Sequence, residues 1–363
     1  VGTVHLYDLH VTKDGDELLH GIDLRVAAGE RVAVLGPSGA GKSTLLRAIA
    51  GLDPVTAGQV VLDGRDVTTL PTREREVAMV SQTAALYRHL DVGANVAFPL
   101  WVRGVEADER SQRVEAEARA FSLRGLLRRK PRTLSQGEQH EVALARSLVR
   151  RGGVLLLDEP FAQADALRRG MLVQELIRIQ EGYGATLLVA TNDQRDAMSL
   201  AHRCAVLHEG RVVQVASPTE LYDAPATIFV AGFLGAPPMN LLPGRIERHA
   251  GRAQVRAGPF RITSATPRVS RWVDSDCTLG VRPQDLQRAS GNEVIVVEEV
   301  VRRRAFLGAH IEVAIGPSAE PSDHVVAMVD RPAPEVGELL RLSVPPDKVH
   351  VFAPDGRAIS HGV

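Results

Sequence analysis

The chain has 363 residues, a length that divides into two or three domains at roughly 100–200 residues each. Basic and acidic residues number 43 and 44, so the net charge of −1 offers no bulk positive field for nucleic acid. Hydrophobic residues at 44% and charged residues at 24% are ordinary globular usage, and two cysteines exclude a disulfide framework.

Val1 to His10 lacks a basic stretch followed by an apolar core, so no secretory leader is expected there. Arg31 to Leu35 (RVAVL) is a short apolar run stopped by Gly36 and Pro37, as a buried strand would be. Lys42 to Ala50 reads as a helix with Leu45, Leu46 and Ile49 on one face. The longest apolar segment, Val92 to Val102, is interrupted by Asn95 and Pro99 and is too short to span a bilayer, which takes about 20 residues. Residues 105–130 are rich in Arg and Glu and read as a solvated helical insertion. Val154 to Leu157 and Thr186 to Thr191 are continuous apolar runs, the pattern of strands buried on both faces of a parallel sheet. Between them Leu167, Met171, Leu172, Leu176 and Ile179 recur at helical spacing, so the core is expected to be α/β.

Cys204 to Val213 reads as a hairpin turning at Glu209-Gly210. Ser217-Pro218-Thr219-Glu220 has the form of a capping box with proline at the first helical position. Gly235-Ala236-Pro237-Pro238 is a candidate linker. Beyond it, apolar segments at 279–281, 294–301, 311–315, 325–329 and 340–344 alternate with Pro, Gly and Asp, which predicts a small all-β domain. Cys204 and Cys277 have no Cys or His partner at metal-ligand spacing and read as ordinary thiols.

Gly36-Pro37-Ser38-Gly39-Ala40-Gly41-Lys42-Ser43, followed by Thr44, fits the phosphate-binding pattern G-x-x-x-x-G-K-[ST]. The glycines let backbone N–H groups turn inward around phosphate oxygens, and the following helix adds its partial positive charge. In this pattern Lys42 reaches the β- and γ-phosphates and Ser43 ligates Mg²⁺. The run Val154 to Leu157 ends in Asp158-Glu159, which suits a nucleotide hydrolase: Asp158 on the Mg²⁺ side, Glu159 as general base towards the attacking water.

The order of these parts resembles the ABC ATPase family. Gln82, in VAMVSQTAALYRHL, matches its Q-loop, and Leu134-Ser135-Gln136-Gly137-Glu138 matches its signature. Asp158-Glu159-Pro160 matches the Walker B end, Ala162-Gln163-Ala164-Asp165 the D-loop, and Asn192-Asp193-Gln194 the switch loop. Leu221 to Pro225, Phe229 to Gly235, Pro238 to Asn240, Val281-Arg282-Pro283 and the final PDKVHVFAPDGRAI resemble the ATPase subunits of bacterial maltose and glycerol-phosphate importers. The resemblance implies an ABC nucleotide-binding domain over 1–235, with a helical subdomain at about 84–150. A C-terminal OB-like regulatory domain would follow over 236–363.

It also implies ATP and Mg²⁺ as cofactors, with Ser43, Gln82 and Asp158 at the metal and Glu159, Gln82 and Asn192 in catalysis. The phosphate loop from Gly36 to Thr44 would bind the nucleotide. Ser135, Gln136 and Gly137 would touch the γ-phosphate held by a second subunit, as a homodimer or as a heterodimer with another ABC ATPase. The implied partners are two transmembrane permease subunits and, indirectly, an extracytoplasmic solute-binding protein, with no nucleic acid. The implied location is cytoplasmic, peripheral on the inner face of the cell membrane.

Several positions depart from the family pattern. Asn192 stands where the family has its switch histidine. Thr12-Lys13-Asp14-Gly15 carries no aromatic ring to stack on adenine, and Tyr7 comes too early; such stacking is worth about 1–3 kcal/mol. Ala162 replaces a serine, Gln136 a glycine and Glu141 an arginine. Loss of a transition-state donor typically costs about 10²–10³ in rate. The leading expectation is therefore an importer ATPase. The alternative is a nucleotide-binding subunit with weakened hydrolysis that acts as a regulatory or degenerate partner, with a soluble ABC ATPase acting on nucleic acid behind both.

Overall fold

A computed structural model describes residues 2–81, 83, 85–150, 153–291, 295–318, 320–321 and 324–363. The chain divides into two compact units, Val1–Pro218 and Thr219–Val363.

In the first unit the strands are β1 (Val4–Lys13), β2 (Asp16–Val26), β3 (Arg31–Leu35), β4 (Ala57–Leu62), β5 (Arg65–Asp66), β6 (Val77–Val80), β7 (Val154–Asp158), β8 (Thr186–Thr191), β9 (Arg203–His208) and β10 (Arg211–Ala216). Its longer helices are α1 (Lys42–Ala50), α2 (Val92–Val102), α3 (Ala107–Ala120), α4 (Gln136–Leu148), α5 (Ala166–Tyr183) and α6 (Gln194–Leu200). One sheet runs β2-β1-β4-β5 and is antiparallel. The other runs β10-β9-β3-β8-β7-β6, parallel except for the edge strand β10. Every residue of β3, β7 and β8 is buried, which explains their unbroken apolar runs.

Sequence-local chemistry sets the turns. Asp14 (φ 54°) and Gly15 (φ 94°) form the two-residue turn between β1 and β2, and Glu209 (φ 45°) and Gly210 (φ 69°) the one between β9 and β10. Both central residues must be left-handed in such a turn, which glycine accepts and acidic residues tolerate. On α1, Leu45, Leu46 and Ile49 are fully buried, each contributing about 1.5–3 kcal/mol of apolar burial.

The insertion is helical as expected: α3 buries only Glu117 and Ala118, and before it Asp91 caps α2 by accepting from the Ala94 N–H. On α5 the buried face is Leu172, Val173, Leu176 and Ile179, whereas Leu167 and Met171 are 79% and 57% exposed. All five apolar residues recur at helical spacing in the sequence, but they do not form one stripe. Leu167 and Leu172 are five residues apart, about 140° around the helix, and cannot share a face. Among the described residues no helix is long and apolar enough to cross a membrane.

The second unit opens with α7 (Pro218–Asp223, its first residue shared with the preceding unit) and α8 (Ile228–Phe233), followed by strands interrupted by the short helix α9 (Pro267–Ser270) and by single 3-10 turns. β11 (Asn240–His249), β12 (Arg252–Ala257), β13 (Phe260–Ser264) and β14 (Ser275–Val281) join β20 (Val349–Phe352) and β21 (Ala358–His361) in the order β13-β12-β11-β14-β20-β21. A second sheet orders β15 (Gln287–Arg288), β16 (Val296–Leu307), β17 (His310–Ile315), β18 (Val325–Asp330) and β19 (Leu339–Ser343) as β15-β19-β16-β17-β18. One apolar core takes residues from both, including Ile246, Phe260, Leu279, Val301 and Val313. Of the segment expected at 294–301, Val294 lies outside the described residues.

The sequence reading placed the domain change at residue 235, in the Gly-Pro run. The compact unit begins earlier, at Thr219, because the segment before that run is bonded to the strands after it. The Ile228 N–H donates to the Gly356 carbonyl (2.8 Å), and the Ala358 N–H to the Ala226 carbonyl (3.0 Å). The buried Arg282 guanidinium donates to the carbonyls of Tyr222 and Leu234 and lies 3.6 Å from the centre of the Tyr222 ring.

Candidate functional site

Register brings the site together. In the parallel sheet Leu35 pairs with Thr191 and Asp158 with Ala190, so β3, β7 and β8 end side by side. The loops that follow them open at one rim, where such sheets bind ligands.

The loop after β3 leaves no room for side chains at two of its glycines. A Cβ on Gly36 would fall 2.2 Å from the Leu207 carbonyl oxygen, and one on Gly41 (φ 101°) 2.8 Å from the Leu19 side chain. Gly41 precedes α1, whose first residues are Lys42, Ser43 and Thr44. Lys42 Nζ donates to the carbonyls of Gly36 (2.8 Å) and Pro37 (2.9 Å). Burial lowers the pKa of Lys42, opposed by the carboxylates of Glu159 and Asp158. Ser43 Oγ donates to Asp158 Oδ1 at 2.9 Å. Burial raises Asp158, while that hydroxyl and Lys42 pull it back down.

Glu159 sits at φ 49°, a left-handed conformation that costs a non-glycine residue about 1–3 kcal/mol. Bonds at both ends hold it there. Its N–H donates to the Ala190 carbonyl (2.9 Å), and its carboxylate accepts from the Asn192 N–H (3.0 Å) and Thr191 Oγ1 (3.5 Å). Burial is the largest influence on its pKa and raises it; Lys42 and the Asn192 N–H oppose that. A carboxylate of raised pKa facing a cavity suits proton abstraction from water.

A cavity of about 400 Å³ is lined by Ser38, Gly39, Lys42, Ser43, Glu159, Ala162 and Asn192, together with Arg169, Asp193 and Asp196. The first seven belong to motifs read from the sequence. Asp193 belongs to the switch-loop match but was given no role of its own, and Arg169 and Asp196 were not singled out. The usable signal was position: Arg169 lies one turn into α5 after Asp165, and the two aspartates follow the switch position by one and four residues.

Other expected residues lie elsewhere. Gln82 is outside the described residues. Ser135 is the N-cap of α4 in a complete capping box with Glu138, and Gln136 and Gly137 open that helix; none of the three lines the cavity. The hairpin at Thr12–Gly15 carries no ring, and Tyr7 is on β1 with the Arg25 guanidinium 5.9 Å from its ring centre. Glu141, which departs from the family pattern, accepts from Arg168 Nε at 2.7 Å, so its charge is partnered within the chain. Cys204 and Cys277 are buried, their thiols pushed up to about 12 and about 11, which makes them unreactive.

Comparison with known proteins agrees with this geometry. Residues 19–162 match the family described as ABC transporter, 235–286 the MalK OB fold domain and 279–352 the TOBE domain. The sn-glycerol-3-phosphate import ATP-binding protein UgpC of Burkholderia cenocepacia is 39% identical over 350 residues, covering 94% of this chain and 95% of that protein. Its counterpart from Cereibacter sphaeroides is 41% identical over 359 residues, covering 98% and 99%. Among solved structures, the dimeric post-hydrolysis state of the ATP-binding cassette MJ0796 bound to ADP and Pi superposes with a TM-score of 0.55 at 29% identity. That match covers 59% of this chain and 98% of the other.

Proposed function

Because the chain belongs to the family of ABC importer ATP-binding subunits, an ATPase family, we propose that it drives uptake of sn-glycerol 3-phosphate or a related sugar solute through two membrane permeases. The observation that carries the reading is the convergence of Lys42, Ser43, Asp158 and Glu159 at the ends of β3, β7 and β8. The relatives favour an importer ATPase over a degenerate regulatory partner.

Backbone N–H groups of the phosphate loop and the start of α1 bind the phosphates, with Lys42 on the β- and γ-phosphates. The Ser43 hydroxyl beside the Asp158 carboxylate, at 2.9 Å, is a hard oxygen pair that fits Mg²⁺. Gln82 is the third residue we assign to the metal. When bound, the ion would neutralise charge on the β- and γ-phosphates. Glu159, held by the Asn192 N–H, takes the proton of the attacking water, and the Asn192 amide faces the γ-phosphate as a neutral donor. Ser135, Gln136 and Gly137, at a capped helix start, are offered to the nucleotide of a second subunit, the same chain or a related ATPase.

The permease site we assign is a groove of about 390 Å³ in the first unit. Its lining includes Met79, Tyr87, Phe98, Val102, Arg146 and Arg150. Tyr87 packs on Phe98 at 4.4 Å between ring centres, and Trp101 beside it is 64% exposed. Such a half-apolar groove with a basic rim suits a short helix from a partner. Motion of this groove would couple the site to the permeases, placing the chain on the inner face of the membrane. The β-rich second unit is the regulatory part.

The test is vesicles carrying the chain with its permeases and binding protein, loaded with Mg-ATP. ATP-dependent uptake of labelled sn-glycerol 3-phosphate, lost in Lys42→Ala, is expected. ATP-dependent uptake of neither this solute nor a neutral sugar would overturn the reading.

A further inference from the structure

The cavity has two walls of different charge. Lys42 stands on the phosphate-loop wall, already bonded to the Gly36 and Pro37 carbonyls. The opposite wall carries Asn192, whose amide is neutral, between two acids. Of the ten lining residues three are carboxylates, Glu159, Asp193 and Asp196, and Asp158 lies just behind them on Ser43. A triphosphate entering here meets an excess of negative charge unless that wall is offset.

Arg169 reaches this wall from α5. Its Nη1 binds the Asp193 carboxylate and lies 3.8 Å from Asp196 Oδ2. The three side chains are only 23%, 21% and 6% exposed, so solvent screens them weakly. Arg195 also approaches Asp193 (3.3 Å), but it is 82% exposed. Asp193 is itself fixed. It caps α6 by accepting from the Arg195 N–H (2.8 Å), and its own N–H donates to Thr191 Oγ1 (3.1 Å). Thr191 Oγ1 in turn donates to Glu159 Oε2. A contact chain thus runs from α5 through the switch loop to the general base.

We propose that Arg169 is a positioning residue of the nucleotide site: its guanidinium neutralises Asp193 and Asp196, so that the Asn192 wall accepts the terminal phosphate of ATP. The proposal rests on the ATPase reading above. The effect is specific to the γ-phosphate, because on the ATPase reading that group is the one offered to Asn192. ADP binding depends on the opposite wall and is affected less.

Equilibrium binding of ATP and ADP to the full chain, with thermal melts on each variant, tests it. Arg169→Gln is expected to weaken ATP binding about tenfold or more and ADP binding less than about threefold. Arg169→Lys, which keeps the charge, stays within about threefold of wild type for ATP. Adding Asp196→Asn to Arg169→Gln removes one negative charge and restores most of the lost ATP affinity. Unchanged ATP affinity in Arg169→Gln would overturn the proposal, as would equal loss of ATP and ADP that Asp196→Asn does not relieve. Should Arg169→Gln fail to fold, Asp196→Asn alone decides. It tightens ATP about threefold if the wall is limited by negative charge, and any other result overturns the idea. A wild-type chain that binds no more ATP than Lys42→Ala would sink the nucleotide reading itself, whereas normal Lys42-dependent binding with an indifferent Arg169 sinks only this proposal.

Discussion

Two buried cations, Lys42 in the first unit and Arg282 in the second, are held in opposite ways. Both are less than one-tenth exposed, and in both burial pushes the pKa down. Arg282 directs its guanidinium at the carbonyls of Tyr222 and Leu234 and stacks on the Tyr222 ring. Lys42 also touches carbonyls, but it lines a cavity with Glu159 and Ser43. Burial of a charge therefore does not mark a site by itself. A cation whose donors end on backbone ties chain segments together, whereas one that faces a cavity beside carboxylates is available to a ligand.

The sharpest way to break this contrast is to remove each cation in turn. Lys42→Ala should lower ATP turnover by about 10³-fold or more, with a thermal midpoint close to wild type. A large drop in the midpoint would put Lys42 in the same class as Arg282. Arg282→Met should do the reverse. It leaves the Tyr222 and Leu234 carbonyls without their donors and should cost about 2–4 kcal/mol in denaturant unfolding of the second unit. ATP binding by the first unit should be kept, and lost binding would contradict the division of roles.

A smaller effect sharpens the comparison at Asp196. Its carboxyl is pushed up to about 6, mainly by burial, with Arg169 opposing. A group whose folded pKa lies above its unfolded value adds stability at low pH, and that contribution disappears as pH rises through about 6. Asp196→Asn should therefore stabilise the chain by about 1–3 kcal/mol at pH 8, with the gain vanishing near pH 4. Melts of the two proteins across that range check it; a gain independent of pH would place the cause outside this carboxyl.

The same contrast explains what the sequence could reveal. The phosphate loop was legible because Gly36 to Ser43 is contiguous and its glycines are dictated by local sterics. β3, β7 and β8 were legible from their unbroken apolar runs. The Arg169 contact with Asp193 was not, since it joins a helix to a loop 24 residues away and follows no spacing rule. The compact second unit starts at Thr219, ahead of the linker-like run Gly235–Pro238, because the bonds of Ala226, Ile228 and Leu234 reach partners 48 to 132 residues further on, pairings that composition does not show. The apolar spacing located α5, but it did not separate the exposed Leu167 and Met171 from the buried face, which needs the angle around the helix.

The central claim is that Glu159, set at a strained backbone position beside Asn192, activates water for a nucleotide held by Lys42. ATP turnover and ATP binding of the assembled transporter, wild type against Glu159→Gln, test it most directly. The account predicts that turnover falls about 10²–10⁴-fold while ATP binding stays within about threefold. Turnover near the wild-type rate, or loss of binding in step with turnover, would contradict it.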